Sequence, residues 1–312
     1  MSDASRPSIG LALGSGSARG WAHIGVIRAL EEAGIRPDIV CGTSIGALVA
    51  AAYADGGLDR LEQWVLGLAW KDVVGFLDLS LSGGFIKGDR LVSFFHENFF
   101  ELEIAQLPLP FGAVATDLAT GREVWLREGL LSEAVRASIG LPGLFAPVRR
   151  EGRWLVDGGL VNPVPVSLAR AMGADVVIAV DLNSDLIGRH LRKPGVPAAS
   201  RPTTGKKPEE GAGSLISRLQ AGMAALAAGL PAEEGAPPSM VEVLATAVNI
   251  MQVRITRSRL VGEPADVLVA PRLAHLGLME FHRARTAIEA GHRAAAHAVA
   301  PLRELLGEGG GG

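Results

Sequence analysis

The chain has 312 residues, a net charge of −3 and 48% hydrophobic residues, with 40 glycines and a single cysteine. That length buries a sizeable core, and the glycine-rich, charge-poor composition suits an α/β protein with tight turns. There is no basic field for nucleic acid, and the lone Cys41 excludes an intramolecular disulfide framework. Met1–Pro7 lacks a signal-peptide pattern and no run of about 18 apolar residues suits a membrane span, so a cytoplasmic setting is expected.

Ser8–Leu13 reads as a first strand, followed by the glycine-rich loop Gly14-Ser15-Gly16-Ser17-Ala18-Arg19-Gly20. A helix from Trp21 to Ala33 follows, with Ile24, Ile27 and Leu30 on one face and Gly34 as its stop. A glycine-rich loop that opens a helix presents free backbone N–H groups at the positive end of the helix dipole, which makes an anion site. Three anions fit that description: a nucleotide triphosphate, a dinucleotide pyrophosphate, or the oxyanion of an acyl-transfer intermediate. A phosphate loop needs Gly-Lys-Ser/Thr where Ala18-Arg19-Gly20 stands, and a dinucleotide fingerprint needs glycine where Arg19 stands. The oxyanion alternative requires a nucleophile on a neighbouring loop.

Pro37–Cys41 reads as the second strand, and Ala47–Ala54 as a helix. Between them, Gly42-Thr43-Ser44-Ile45-Gly46 fits the G-x-S-x-G elbow, which pushes a serine hydroxyl out of a sharp strand-to-helix turn. Gly42 and Gly46 suit the crowding of such a turn, although a plain Gly/Ser turn before a core helix has the same spelling. If the two strands are parallel neighbours, Ser44 and the glycine-rich loop emerge at the same carboxyl edge.

A serine needs a base. None of the seven histidines, His23, His96, His190, His275, His282, His292 and His297, sits in a strand-end loop followed by a supporting acid. The elbow also comes too early in the chain for the Ser, acid, His order of the α/β-hydrolases. Gly152–Leu160 instead places Asp157 at a strand end before Gly158 and Gly159. Asp-Gly is also a common hairpin turn, so both readings stand at this level. As a base, Asp157 needs burial to raise its basicity and hydrogen bonds to keep it ionised.

Asp175–Asp181 reads as another strand. From Ser184 to Gly213 the chain is rich in Pro, Gly, Lys and Thr and reads as a mobile linker, and Pro231–Ser239 as a second one. Between them, Leu215, Ile216, Leu219, Met223, Leu226 and Leu230 form an amphipathic stripe, either a lid or membrane-touching helix or a helix docked on the core. Met240–Leu260 reads as a helix ending in Arg254, Arg257 and Arg259, which either meet anionic headgroups or face water, and water is the expectation. Ala265–Pro271 reads as a strand and Leu278–Leu306 as the last helix. The expected organisation is one domain over 8–306, interrupted by a mobile insertion at about 184–239 and flanked by disordered segments 1–7 and 307–312.

Leu11–Gly20, Gly42–Gly46 and Asp157-Gly158-Gly159 together resemble the three signature blocks of patatin-like phospholipases, in their bacterial branch related to neuropathy target esterase. Ala137–Val148 and Ala115–Leu118 are similar to two further landmarks of that family. The resemblance implies a three-layer α/β/α fold with a mainly parallel central sheet and a serine acyl hydrolase acting on lipid esters. It makes Ser44 the nucleophile, Asp157 its partner in a Ser-Asp dyad, and the backbone of Gly14, Ser15, Gly16, Ser17, Ala18 and Arg19 the oxyanion hole. Gly42, Thr43 and Gly46 then shape the elbow, and Gly158 and Gly159 the turn behind Asp157. Neither metal nor organic cofactor is implied; the expected partner is a lipid or ester substrate, with peripheral membrane contact possible. Ser15 and Ser17 stand where many members carry further glycines. An acyltransferase and a non-catalytic lipid-binding module are the alternatives on the same fold.

Overall fold

A computed structural model describes residues 6–69, 102–142, 145–186 and 240–307. Most of the expected insertion and its amphipathic stripe, together with His96 and His190, lie outside the described residues. Elements are numbered among the described residues only.

Strand β1 (Ile9–Leu13) leads through a 3-10 turn (Ser17–Trp21) into α1 (Ala22–Glu32), then β2 (Ile39–Thr43), α2 (Ile45–Ala54) and α3 (Leu58–Gly67). After β3 (Phe111–Asp117) and β4 (Glu123–Leu126) come α4 (Leu131–Ser138), β5 (Val148–Arg150), β6 (Arg153–Asp157), α5 (Val166–Ala171) and β7 (Val176–Val180). The last described part holds α6 (Met240–Gly262), β8 (Val267–Val269) and α7 (Ala284–Leu305).

Strands β3, β2, β1, β7 and β8 pair in that order, all parallel. A parallel sheet is covered on both faces, which is why β1, β2 and β7 are apolar or small along their whole length and, like β3, buried throughout. Alternation divides the core. Leu11 and Leu13 join Ile24, Ile27 and Leu48 on one face, whereas Ala12 joins Cys41, Val114 and Leu168 on the other. The result is three layers. Strand β2 begins two residues later than its apolar run suggests. Pro37 has no N–H to donate, and the Asp38 carboxylate is occupied in accepting the Ile9 N–H at 2.8 Å.

One strand acts as the ruler for the site. Ala113 and Val114 of β3 each pair with both β2 and β4, and Ala115 and Thr116 with both β4 and β6. A residue in a sheet has only two edges, so β2 and β6 share one edge of β3, end to end, opposite β4. Thr43 faces Val114 and Asp157 faces Ala115. The last residue of β2 and the last residue of β6 therefore occupy consecutive rungs.

Candidate active site

Ser44 follows Thr43 with φ 58° and ψ −125°, a left-handed conformation that costs a non-glycine residue about 1–3 kcal/mol. The flanking glycines make the turn possible because they touch: a Cβ on Gly42 would lie 2.3 Å from the Gly46 carbonyl oxygen. A Cβ on Gly46 would lie 2.1 Å from the Leu13 carbonyl oxygen, so α2 starts directly above the end of β1. The Ser44 N–H donates to Ser138 Oγ at 2.9 Å, and that hydroxyl in turn donates to the Val114 carbonyl at 2.6 Å. A side chain from α4 thus anchors the strained residue to β3.

The Ser44 hydroxyl donates to Asp157 Oδ2 at 2.6 Å. Asp157 is 1% exposed, and its other oxygen accepts the Gly159 N–H at 2.7 Å. Its backbone is held on both sides, by Gly140 accepting its N–H at 3.0 Å and by Thr116 Oγ1 donating to its carbonyl at 2.8 Å. Burial pushes the carboxyl pKa up to about 6, against the pull of the hydrogen bonds from Ser44 and Gly159. Above that pH the group is a carboxylate, more basic than an exposed one, in contact with the serine proton.

The glycine-rich loop lies beside this pair at the end of β1. Four of its N–H groups are already used: Gly14 donates to Val180 (3.0 Å), Ser15 to Pro163 (2.8 Å), Ala18 to Leu278 (3.1 Å) and Arg19 to Gly16 (3.2 Å). Among the described residues, the N–H groups of Gly16 and Ser17 have no partner, and both residues line the cavity onto which Ser44 and Asp157 open. Ser17 has φ 52°, a second left-handed non-glycine residue in the site.

Two buried side chains brace this loop. His23, on α1, donates from Nε2 to the Gly14 carbonyl at 2.7 Å; since a carbonyl only accepts, the proton sits on Nε2. Burial lowers its pKa to about 4, so the ring is neutral at physiological pH, and its Nδ1 has no partner among the described residues. Arg19 is 1% exposed and donates from Nε to the Gly16 carbonyl (3.2 Å) and from Nη2 to Asn249 Oδ1 (3.2 Å). Burial lowers its pKa to about 10, opposed by Asp185 and Asp181, and the guanidinium stays charged.

The cavity wall is largely apolar. Ile45 and Leu48 of α2 contribute to it, as do Phe145, Trp64 and Phe281, with Trp21 edge-on to Trp64 and Phe281 at 6.3 and 5.9 Å between ring centres. Asn249 and Gln252 of α6 complete it. Sequence reasoning missed these two, along with Ser138 and His23. The available signal in α6 was the polar spacing Asn249, Gln252, Thr256, Arg259, one face of a helix. Arg254 and Arg257 are exposed as expected, but Arg259 turns inward and pairs with Glu123 at 3.1 Å while donating to Ser167 Oγ at 3.0 Å. Among the described residues no cluster of three His, Cys, Asp or Glu side chains could hold a metal ion.

A serine on a strained strand-to-helix turn, hydrogen-bonded to a buried carboxylate at the edge of a covered parallel sheet, places this chain among α/β proteins with a Ser–Asp pair. Residues 11–170 match the family described as patatin-like phospholipase, and the chain belongs to that family. NTE family proteins of Mycobacterium tuberculosis and Mycobacterium bovis are 36% identical to it over 331 aligned positions, covering 95% of this chain and 92% of theirs. The human patatin-like phospholipase domain-containing protein 6 is 37% identical over 185 residues, 57% of this chain and 13% of that protein. VipD from Legionella pneumophila has a similar fold, with a TM-score of 0.54 at 14% identity, covering 95% of this chain and 67% of that one. No helix among the described residues is long and apolar enough to cross a membrane.

Proposed function

We propose that the protein is a serine acyl hydrolase that cleaves carboxylic ester bonds of lipids, with Ser44 as nucleophile and Asp157 as its base. The observation that carries this is the 2.6 Å contact between the Ser44 hydroxyl and a buried carboxylate of raised pKa. Membership of the patatin-like phospholipase family supports the choice of a lipid ester. As Ser44 Oγ forms a bond to the ester carbonyl carbon, Asp157 Oδ2 takes its proton. The carbonyl oxygen becomes an oxyanion, for which the N–H groups of Gly16 and Ser17, without partners among the described residues, are the available donors. Collapse of the tetrahedral intermediate breaks the bond to the leaving alcohol, which receives the proton from Asp157. Water then gives its proton to Asp157, attacks the acyl-enzyme, and releases the carboxylic acid and free Ser44.

The test is turnover of p-nitrophenyl esters and lysophospholipids together with fluorophosphonate labelling, using Ser44→Ala as control. Both activities are expected in the wild type and neither in the variant. Labelling with acyl transfer to an added alcohol and no hydrolysis would assign an acyltransferase instead; a protein that is not labelled is no serine enzyme.

A further inference from the structure

The cavity in front of Ser44 is mostly apolar, but α6 presents two amides to it, Asn249 and Gln252. Their partners fix which end of each amide is already engaged and which is left to donate. A guanidinium only donates, so the contact of 3.2 Å from Arg19 Nη2 engages the Asn249 oxygen and turns Nδ2 away. Gln252 Oε1 accepts from Ser15 Oγ at 3.2 Å and from Asn183 Nδ2 at 3.3 Å. Asn183 Nδ2 is itself oriented, because it also donates to the Ser15 carbonyl at 3.1 Å. The Gln252 nitrogen stands over the turn behind the dyad: a Cβ on Gly159 would lie 2.4 Å from Nε2 and 2.9 Å from Asp157 Oδ1. Among the described residues neither Asn249 Nδ2 nor Gln252 Nε2 has a hydrogen-bond partner.

Residues three apart share a helix face, so the two amide groups stand side by side next to the reacting serine. Neither nitrogen is sealed inside the protein, so both can donate to a ligand that enters the cavity. An acyl chain offers no acceptor, and the scissile carbonyl already has the Gly16–Ser17 donors. The acceptor must come from another part of the substrate. Charge narrows its nature: the guanidinium on the Asn249 oxygen polarises that amide and strengthens Nδ2 as a donor towards an anion.

We propose that Asn249 and Gln252 form a headgroup subsite that takes the phosphodiester oxygens of a glycerophospholipid whose acyl ester is attacked by Ser44. This rests on the serine hydrolase reading above. It makes the two residues specificity determinants, separate from the apolar wall that receives the acyl chain.

Asn249→Asp and Gln252→Glu test it, because each keeps the oxygen that binds Arg19 or Ser15 and replaces the donating nitrogen with an anionic oxygen. kcat/KM is measured on lysophosphatidylcholine, on the monoacylglycerol of the same chain and on diacylglycerol, which has a second ester and no phosphate. The ratio of lysophosphatidylcholine to monoacylglycerol turnover is expected to fall at least about tenfold in each variant, the scale of a lost charge-assisted hydrogen bond. In the wild type, glycerophosphocholine is expected to slow fluorophosphonate labelling where glycerol does not, a readout that needs no variant to fold. An unchanged ratio, an equal fall on all substrates, or no protection by glycerophosphocholine overturns the subsite, and a selective fall on diacylglycerol reassigns it to a second ester. Wild-type protein that is labelled but cleaves only neutral esters overturns the subsite alone. Wild-type protein that is neither labelled nor active overturns the serine reading beneath it.

Discussion

The turn at Ser44 and the loop from Gly14 to Arg19 lie at the ends of neighbouring strands, yet the balance of local and distant support differs between them. The elbow is shaped within five residues by the contact between Gly42 and Gly46, and is tied to distant parts of the chain by the Ser138 hydroxyl and by Thr43 Oγ1, which donates to the Asn162 carbonyl at 2.8 Å. The loop has local braces in Arg19 and His23, but most of its contacts come from far away. Pro163, Val180, Asn183, Asn249, Gln252 and Leu278 all reach it from the other half of the chain. The conformation of the serine turn can therefore be specified largely locally, whereas the placement of the Gly16 and Ser17 N–H groups depends more on distant parts of the fold being in place.

The largest expected effect comes from breaking the pair at the elbow. Ser44→Ala and Asp157→Asn are each expected to reduce ester turnover by roughly 10³-fold or more, measured as kcat/KM on a p-nitrophenyl ester. In the wild type, turnover should rise with pH through about 6 as Asp157 loses its proton. A flat profile from pH 5 to 8 would argue that another group is the base.

Stability should move the other way. The folded pKa of Asp157 lies above its ordinary value, so the stabilising contribution of this group is complete below the unfolded pKa and is lost as pH rises through about 6. Asp157→Asn removes a buried charge, so thermal unfolding at pH 8 should occur at a higher temperature in the variant. The gain has an upper bound of about 3 kcal/mol. A lower melting temperature would show that the hydrogen bonds of the carboxylate outweigh its desolvation.

Breaking the loop should cost less. Gly16→Pro deletes a donor and imposes a torsion angle far from the φ of 173° that Gly16 has, so it is expected to slow turnover by about 10² to 10³. His23→Ala leaves the Gly14 carbonyl without its donor and should lower kcat by about tenfold, with His23→Gln recovering part of it because an amide can still donate. His23 also predicts acid sensitivity. Its folded pKa lies below its ordinary value, so its contribution to stability is present above about 6.5 and is lost as pH falls towards 4. His23→Gln should flatten the pH dependence of the unfolding midpoint in that window. The smallest effect is expected for Ser15→Ala, within about threefold in kcat, since only a side-chain bond to Gln252 is lost and the backbone donors remain. A larger fall would mean that Gln252 holds the loop as well as lining the cavity.

The same contrast explains what was legible in the sequence. Strands β1, β2 and β7 announce themselves as short apolar runs because both faces of a parallel sheet are covered. The elbow was legible because its two glycines and its serine are only four residues apart from end to end. Asp157 was ambiguous on its own, since a turn and a base share the spelling Asp-Gly. What separates the buried carboxylate found here from an exposed hairpin turn is its place beneath β3 and α4, a property of the assembled molecule. Asn249, Gln252 and Arg259 were not legible. A polar residue on a helix reads as solvent-facing unless something lies above it, and what lies there is set by tertiary packing. The bracing role of His23, weighed from the sequence only as a possible base, was not legible for the same reason, since a helix places it against a loop rather than at a strand end.

The end-to-end arrangement of β2 and β6 along one edge of β3 bears on how the protein acquires its activity. Ser44 and Asp157 are 113 positions apart in the chain, and only strand pairing across β3 makes them neighbours. Helices such as α1 and α2 need only local contacts, whereas pairings of this separation are slow to form because a long loop must close first. During refolding, recovery of the proposed ester turnover should therefore trail the recovery of helical signal, so that turnover would serve as a clock for the closing steps of sheet assembly.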